Sequence, residues 1–215
     1  PDLVMHTRLH ISFSQMLSVL MHPCLIPTYG MIFYMCMMHA RHPQLPSVYL
    51  ALSIAGTFVL TALIPIMLIL LLWRRKVITS PELTQAQQRT TPYLYTAICF
   101  GFWSYFVRGT MRMPQVWFYI AIGATVALLA VTLINRWWKI SAHLTAMGGL
   151  LGGICSLGLY YAVLPLWPIV GVLMISLLVM YARLLLNAHT PLQVVAGYLL
   201  GLLCTLTPNL ILYHA

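Results

Sequence analysis

The sequence predicts an all-α fold, a polytopic membrane helix bundle of about six to seven transmembrane helices. Composition is the first reason: 61% of the 215 residues are hydrophobic and only 6% are charged, and the mean hydropathy is +0.92, far from soluble globular usage. Patterning is the second. The apolar residues form continuous runs, several of which reach the roughly 20 residues that cross about 30 Å of hydrocarbon. Lipid offers no partner to backbone N–H and C=O groups, so the spans are helices or a closed barrel. Period-2 alternation is absent, which selects helices.

Taken in order, residues 1–24 read as an interfacial or re-entrant segment. Residues 9–22 are apolar but too short to span, Pro23 and Pro27 follow, and no small-residue cleavage site marks a removable leader. Apolar spans then run over about 25–40, 47–73, 93–108, 115–135, 144–163, 166–186 and 191–213. Tryptophans 73, 103, 117, 137, 138 and 167 fall mostly near span ends, as an aromatic belt requires. The longest polar stretch is Arg74 to Thr91. Within it Ser80-Pro81-Glu82 has the form of an N-cap, a first-turn proline and a first-turn acid, which predicts a short surface helix leading to Arg89. No loop holds a soluble domain, so residues 1–215 form one membrane domain.

Charge narrows the function. Eleven Lys and Arg stand against Asp2 and Glu82, for a formal net charge of +9. The bases are scattered at segment ends rather than striped on one face, which argues against a nucleic-acid partner. Arg74, Arg75 and Lys76 read as topology anchors, and His6, His10, His22, His39, His42 and His214 as solvated interface residues. The scarcity of acids excludes paired-carboxylate hydrolysis and carboxylate-lined cation transport. The five cysteines are widely spaced, with no CxxC, and read as small apolar residues rather than metal ligands.

Two histidines stand apart. His143 and His189 each open a long apolar span. Two spans separate Arg89 from His143, and two more separate His143 from His189. An even number of crossings returns the chain to the same face, so Arg89, His143, Arg183 and His189 share one side of the membrane. The span after His143 carries Gly148, Gly149, Gly152 and Gly153, and the span after His189 carries Gly197 and Gly201. Small residues at GxxxG spacing let helix backbones approach closely in lipid. Ser141 is placed to cap the first span, and Thr190-Pro191 opens the second. Two parallel helices packed this way aim their N-terminal N–H groups at one spot, which suits an anion. Two imidazoles, two guanidiniums and a hydroxyl complete a phosphate site: arginine forks hold phosphate oxygens, one histidine attacks phosphorus, and the other protonates the leaving oxygen.

In these residues the chain resembles the type-2 phosphatidic acid phosphatase family, whose members show the blocks Lys-x6-Arg-Pro, Pro-Ser-Gly-His and Ser-Arg-x5-His-x3-Asp. Arg183 and His189 match the third block at x5 spacing. Ser141 and His143 match the second in Ile-Ser-Ala-His, and Arg89 matches the first, with Pro92 three residues later rather than adjacent. The resemblance covers a phosphatase-like core over about 74–205. It implies a metal-independent, cofactor-free lipid phosphatase, a multi-pass protein of the bacterial inner (plasma) membrane that acts on a lipid phosphate through a phosphohistidine. His189 would be the nucleophile and His143 the general acid, with Arg89, Arg183 and Ser141 holding phosphate. The chain also departs from the blocks. Gln193 stands where the family has the aspartate that orients the nucleophile, and Glu82 where it has the first lysine, so these two are candidate orienting residues. Ala182 and Ala142 replace a serine and a glycine. Loss of the carboxylate defines an alternative: a catalytically impaired relative that binds or carries a lipid phosphate.

Overall fold

The computed structural model describes residues 2–81, 83, 85–163 and 166–213, so Glu82 lies outside the described residues. Among them the chain is all-helical: α1 (Asp2–Leu20), α2 (Ile26–Arg41), α3 (Ser47–Phe58), α4 (Ile64–Arg74), α5 (Thr90–Tyr105), α6 (Gln115–Ile134), α7 (Ala142–Tyr160), α8 (Leu166–Leu185) and α9 (Pro191–Tyr213). A π-turn, Val59–Leu63, joins α3 to α4, and another, Phe106–Thr110, ends α5. Five stretches are long and apolar enough to cross a membrane: Ser47–Arg74, Gln115–Ile134, Ala142–Tyr160, Leu166–Leu185 and Pro191–Ile211. They make this an integral membrane protein. The expected spans at 25–40 and 93–108 form α2 and α5, helices of 16 residues each that fall outside this group of five.

Proline and glycine set the irregularities. Pro65 sits in the first turn of α4, directly after the wide π-turn. The extra residue in that turn absorbs the missing N–H and the ring's clash with the preceding turn. Pro46 and Pro114 cap α3 and α6 in extended conformation and stop the preceding segments. Of the surface helix expected from Ser80, residues 82 and 84 lie outside the described residues, and Ser80, Pro81, Leu83 and Gln85 are not helical. Leu83 takes a left-handed φ of 51°, its side chain is buried with Ile69 and Ile78, and only a 3-10 turn, Ala86–Arg89, precedes α5. Burying Leu83 outweighs the local capping signal.

Directions follow from the contacts. Arg89 at the start of α5 bonds Asn135 at the end of α6, while Arg108 at the far end of α5 meets Met113 beside the start of α6. These two helices are therefore antiparallel along their length. Helices α7 and α9 are parallel and in backbone contact. A Cβ on Gly201 would sit on the Thr145 carbonyl and one on Gly148 on that of Tyr198, while one on Gly197 would lie 2.6 Å from the Ser141 carbonyl. The GxxxG reading thus corresponds to this helix pair. Helix α2 runs alongside α7, with Gly30 against Leu150 and the Tyr34 and Tyr161 hydroxyls 2.8 Å apart.

The core has two parts. One joins α2, α5 and α6 around Met31, Met35, Trp103 and Trp117; the other joins α2, α7, α8 and α9 around Leu144, Met147, Val179 and Val194. Trp73, Trp137, Trp138 and Trp167 are exposed as a belt requires. Trp103 and Trp117 are not: they are 1% and 3% exposed. The Trp103 indole N–H donates to Thr57 Oγ1 at 3.1 Å, a partner that lets a large ring enter the core.

Candidate functional site

One end of the bundle collects six side chains from five segments. Arg89 and Tyr93 come from the start of α5, Lys139 from the α6–α7 link, His143 from the first turn of α7, Arg183 from the end of α8, and His189 from the α8–α9 link. All of them line the mouth of one continuous cavity of about 810 Å³. The four residues that span counting placed on one face, Arg89, His143, Arg183 and His189, are therefore brought together.

The imidazole of His189 is held in a defined tautomer. Its Nδ1 lies 3.1 Å from the Lys139 carbonyl oxygen and 3.2 Å from Gln193 Oε1. A backbone carbonyl only accepts, so Nδ1 carries the hydrogen. Gln193 is itself oriented, because its Oε1 also accepts from the Thr190 N–H at 3.1 Å. Nε2 of His189 therefore carries a lone pair rather than a hydrogen. Burial, then the charges of Arg183 and Arg89, pull its pKa down from 6.5 to about 4. At neutral pH the ring is uncharged.

Arg89 is buried at 5% exposure. Its Nε donates to the Leu83 carbonyl at 2.8 Å and an NH1 hydrogen to Asn135 Oδ1 at 3.2 Å. These bonds fix the plane of the guanidinium at the cavity wall, which explains why the chain winds back at Leu83 instead of continuing as a helix. Lys139 is lowered by burial and then by the charges of Arg89 and Arg183. Three cations thus repel one another around a space that an anion would fill.

Helix α1 closes the site from above. His143 Nε2 donates to the Ser18 carbonyl at 3.0 Å, and Arg183 NH1 donates to Ser18 Oγ at 3.3 Å. The inward face of α1 is polar, with Ser14 and Ser18 buried, while Phe13, Met16 and Val19 face outward. His22, read from sequence as a solvated interface residue, instead lines the cavity, its ring edge-on to His143 with centroids 6.0 Å apart. Burial lowers its pKa.

Ser141 has a different place. It is fully buried, and its Oγ accepts from the Leu144 N–H at 3.4 Å as the N-cap of α7. It does not line the cavity. Its contribution is to start α7 where His143 can face the mouth. Sequence reasoning missed Ser18, His22 and Tyr93, because they lie outside the motif blocks and reach the site only through packing. Lys139 carried a signal in its proximity to His143.

Below the mouth the cavity turns apolar. It runs between α2, α6 and α7 past Gly30, Ala124, Ala127, Gly149 and Gly153 to Trp117 and Leu157. Small side chains on three facing helices create this volume.

Among the described residues, no group of three or more His, Cys, Asp or Glu side chains could hold a metal ion. Comparison of the chain with protein-family models, with curated proteins and with solved structures finds no match.

Proposed function

We propose that the chain is an integral membrane lipid-phosphate phosphatase that hydrolyses a phosphomonoester or pyrophosphate of a lipid, with a core of the type-2 phosphatidic acid phosphatase kind. The observation that carries the reading is the convergence of Arg89, Lys139 and Arg183 on His189, whose Nε2 is unprotonated and whose Nδ1–H is held by two oxygens. In this reading α2 and α5 also cross the membrane, making seven crossings.

The chemistry follows from the placement. The cations hold the phosphate oxygens and neutralise charge that grows as the leaving group departs. The lone pair on His189 Nε2 forms the N–P bond as the P–O bond to the lipid breaks, and His143, entering the step as the imidazolium once the dianion is bound, gives its Nδ1 proton to that oxygen while its Nε2–H stays on the Ser18 carbonyl. Water then displaces phosphate from His189, with His143 taking the water's proton. Gln193 keeps the attacking ring in one tautomer without adding negative charge.

Gln193 favours a second reading, a binding or carrier protein that keeps the anion site without turnover. Phosphate release from phosphatidate and from a polyprenyl pyrophosphate by the purified protein separates the two, with His189→Ala as control. Release that disappears in His189→Ala supports the enzyme. Absence of release from either lipid, with binding of both retained, leaves the carrier.

A further inference from the structure

We propose that the apolar part of the cavity is a chamber that encloses the hydrocarbon chain of the ligand and limits its length. This rests on the reading of the mouth as a phosphate site. The chamber follows α7 from His143 to Leu157 and α6 from Val131 to Trp117, about 21 Å along either helix at 1.5 Å per residue.

Its wall is mostly apolar. The three threonines that line it spend their hydroxyls on backbone: Thr96 on the Pro92 carbonyl at 2.8 Å, Thr145 on that of Ser141 at 2.9 Å, and Thr205 on that of Gly201 at 2.9 Å. Such a space holds water poorly, yet protein interiors rarely keep large voids. A cationic mouth above a dry apolar chamber fits one kind of molecule, a chain with an anionic end.

The far end has a floor. Trp117 lines the chamber and stacks edge-on against Tyr34 with centroids 5.0 Å apart, and Tyr34 is tied to Tyr161 by their hydroxyls. An extended backbone advances about 3.5 Å for every three bonds, so a depth of about 21 Å takes about 18 bonds. The ligand class is therefore a lipid phosphate whose chains are of ordinary acyl or short isoprenoid length. A long polyprenyl chain would not be enclosed.

The test is binding of an n-alkyl phosphate series to the protein in nanodiscs, with the matching alcohols and an isoprenoid phosphate of equal length as parallel arms. Affinity rises up to about fourfold per added methylene and stops rising near 18 carbons. Gly153→Leu moves that break to shorter chains, and Gly153→Ala, whose Cβ meets Ile120 at an ordinary 3.5 Å, moves it less. An alkyl phosphate with a terminal diazirine labels Trp117 or Leu157. Affinity that climbs without a break beyond this length, or label found only on outward residues such as Val126 and Leu199, overturns the proposal. The alcohols keep the two readings apart. Equal affinity of alcohol and phosphate, with the break still present, removes the phosphate mouth and leaves the chamber. If the isoprenoid phosphate matches the alkyl one, length alone is read; if it binds more tightly, the branched wall selects isoprenoids.

Discussion

At His189 a single residue decides how far the site departs from a carboxylate-assisted one. Gln193 fixes the ring but does nothing for the charged form, so burial and two arginines hold the pKa at about 4. Gln193→Glu keeps the length of the side chain and adds the missing charge. An adjacent carboxylate raises an imidazole pKa by about 1–3 units, so the His189 titration, followed by ring NMR, should move up from about 4 by that amount. Turnover should rise with it, up to a bound of about 10⁴-fold set by what an orienting carboxylate contributes in a serine-protease triad. A ring that titrates unchanged would mean that the carboxylate does not reach it. The wild-type pH profile follows from the same residue. Protonation removes the attacking lone pair, so kcat/KM should fall as pH drops through about 4. Stability shares that direction: the folded pKa lies below the unfolded 6.5, so the contribution is complete above pH 6.5 and is lost as pH falls toward 4.

Two elements, α7 and α9, carry the two histidines, and their parallel contact puts His143 and His189 at one mouth. The contact has no slack. Gly201→Leu places carbon where the Thr145 carbonyl lies, and over-packing of this kind costs about 1–3 kcal/mol. It should lower the thermal midpoint in detergent and abolish phosphate release together, whereas Gly171→Leu on α8, where a Cβ meets nothing within 4 Å, should change neither. A variant at Gly201 with wild-type midpoint and activity would break the link between this packing and the site. These elements were legible in the sequence because glycine at helical spacing has one strong use in lipid, and because even numbers of spans return a chain to the same face. Helix α1 was not. Its inward serines look unremarkable in a linear reading, and only packing shows Ser18 bonded to both His143 and Arg183. The chamber was equally hidden. Gly30, Ala124 and Gly153 come from three helices, and no local pattern announces that their small side chains face one another.

Across the whole molecule, stability and the proposed anion site oppose each other. Eleven basic residues face two acidic ones, and the mouth concentrates Arg89, Lys139 and Arg183; burial first, and then the charges of the two arginines, lower the pKa of Lys139. In the proposed reading the repulsion among these cations is a cost the fold carries, and a bound dianion would relieve it. Anything that binds only the folded state stabilises by RT ln(1 + [L]/Kd), about 2.7 kcal/mol at 100 times Kd. For a chain of this size that corresponds to a rise of about 5–10 °C in Tm. Inorganic phosphate or vanadate should therefore raise the thermal midpoint by this order, and chloride at matched ionic strength should not. Lys139→Met separates this site from general salt effects. It removes one of three repelling charges but leaves the backbone carbonyl that holds His189. The ligand-free variant should melt higher than wild type and gain less from phosphate. If the variant melts no higher and phosphate stabilises it as strongly as before, the mouth is not where the anion binds.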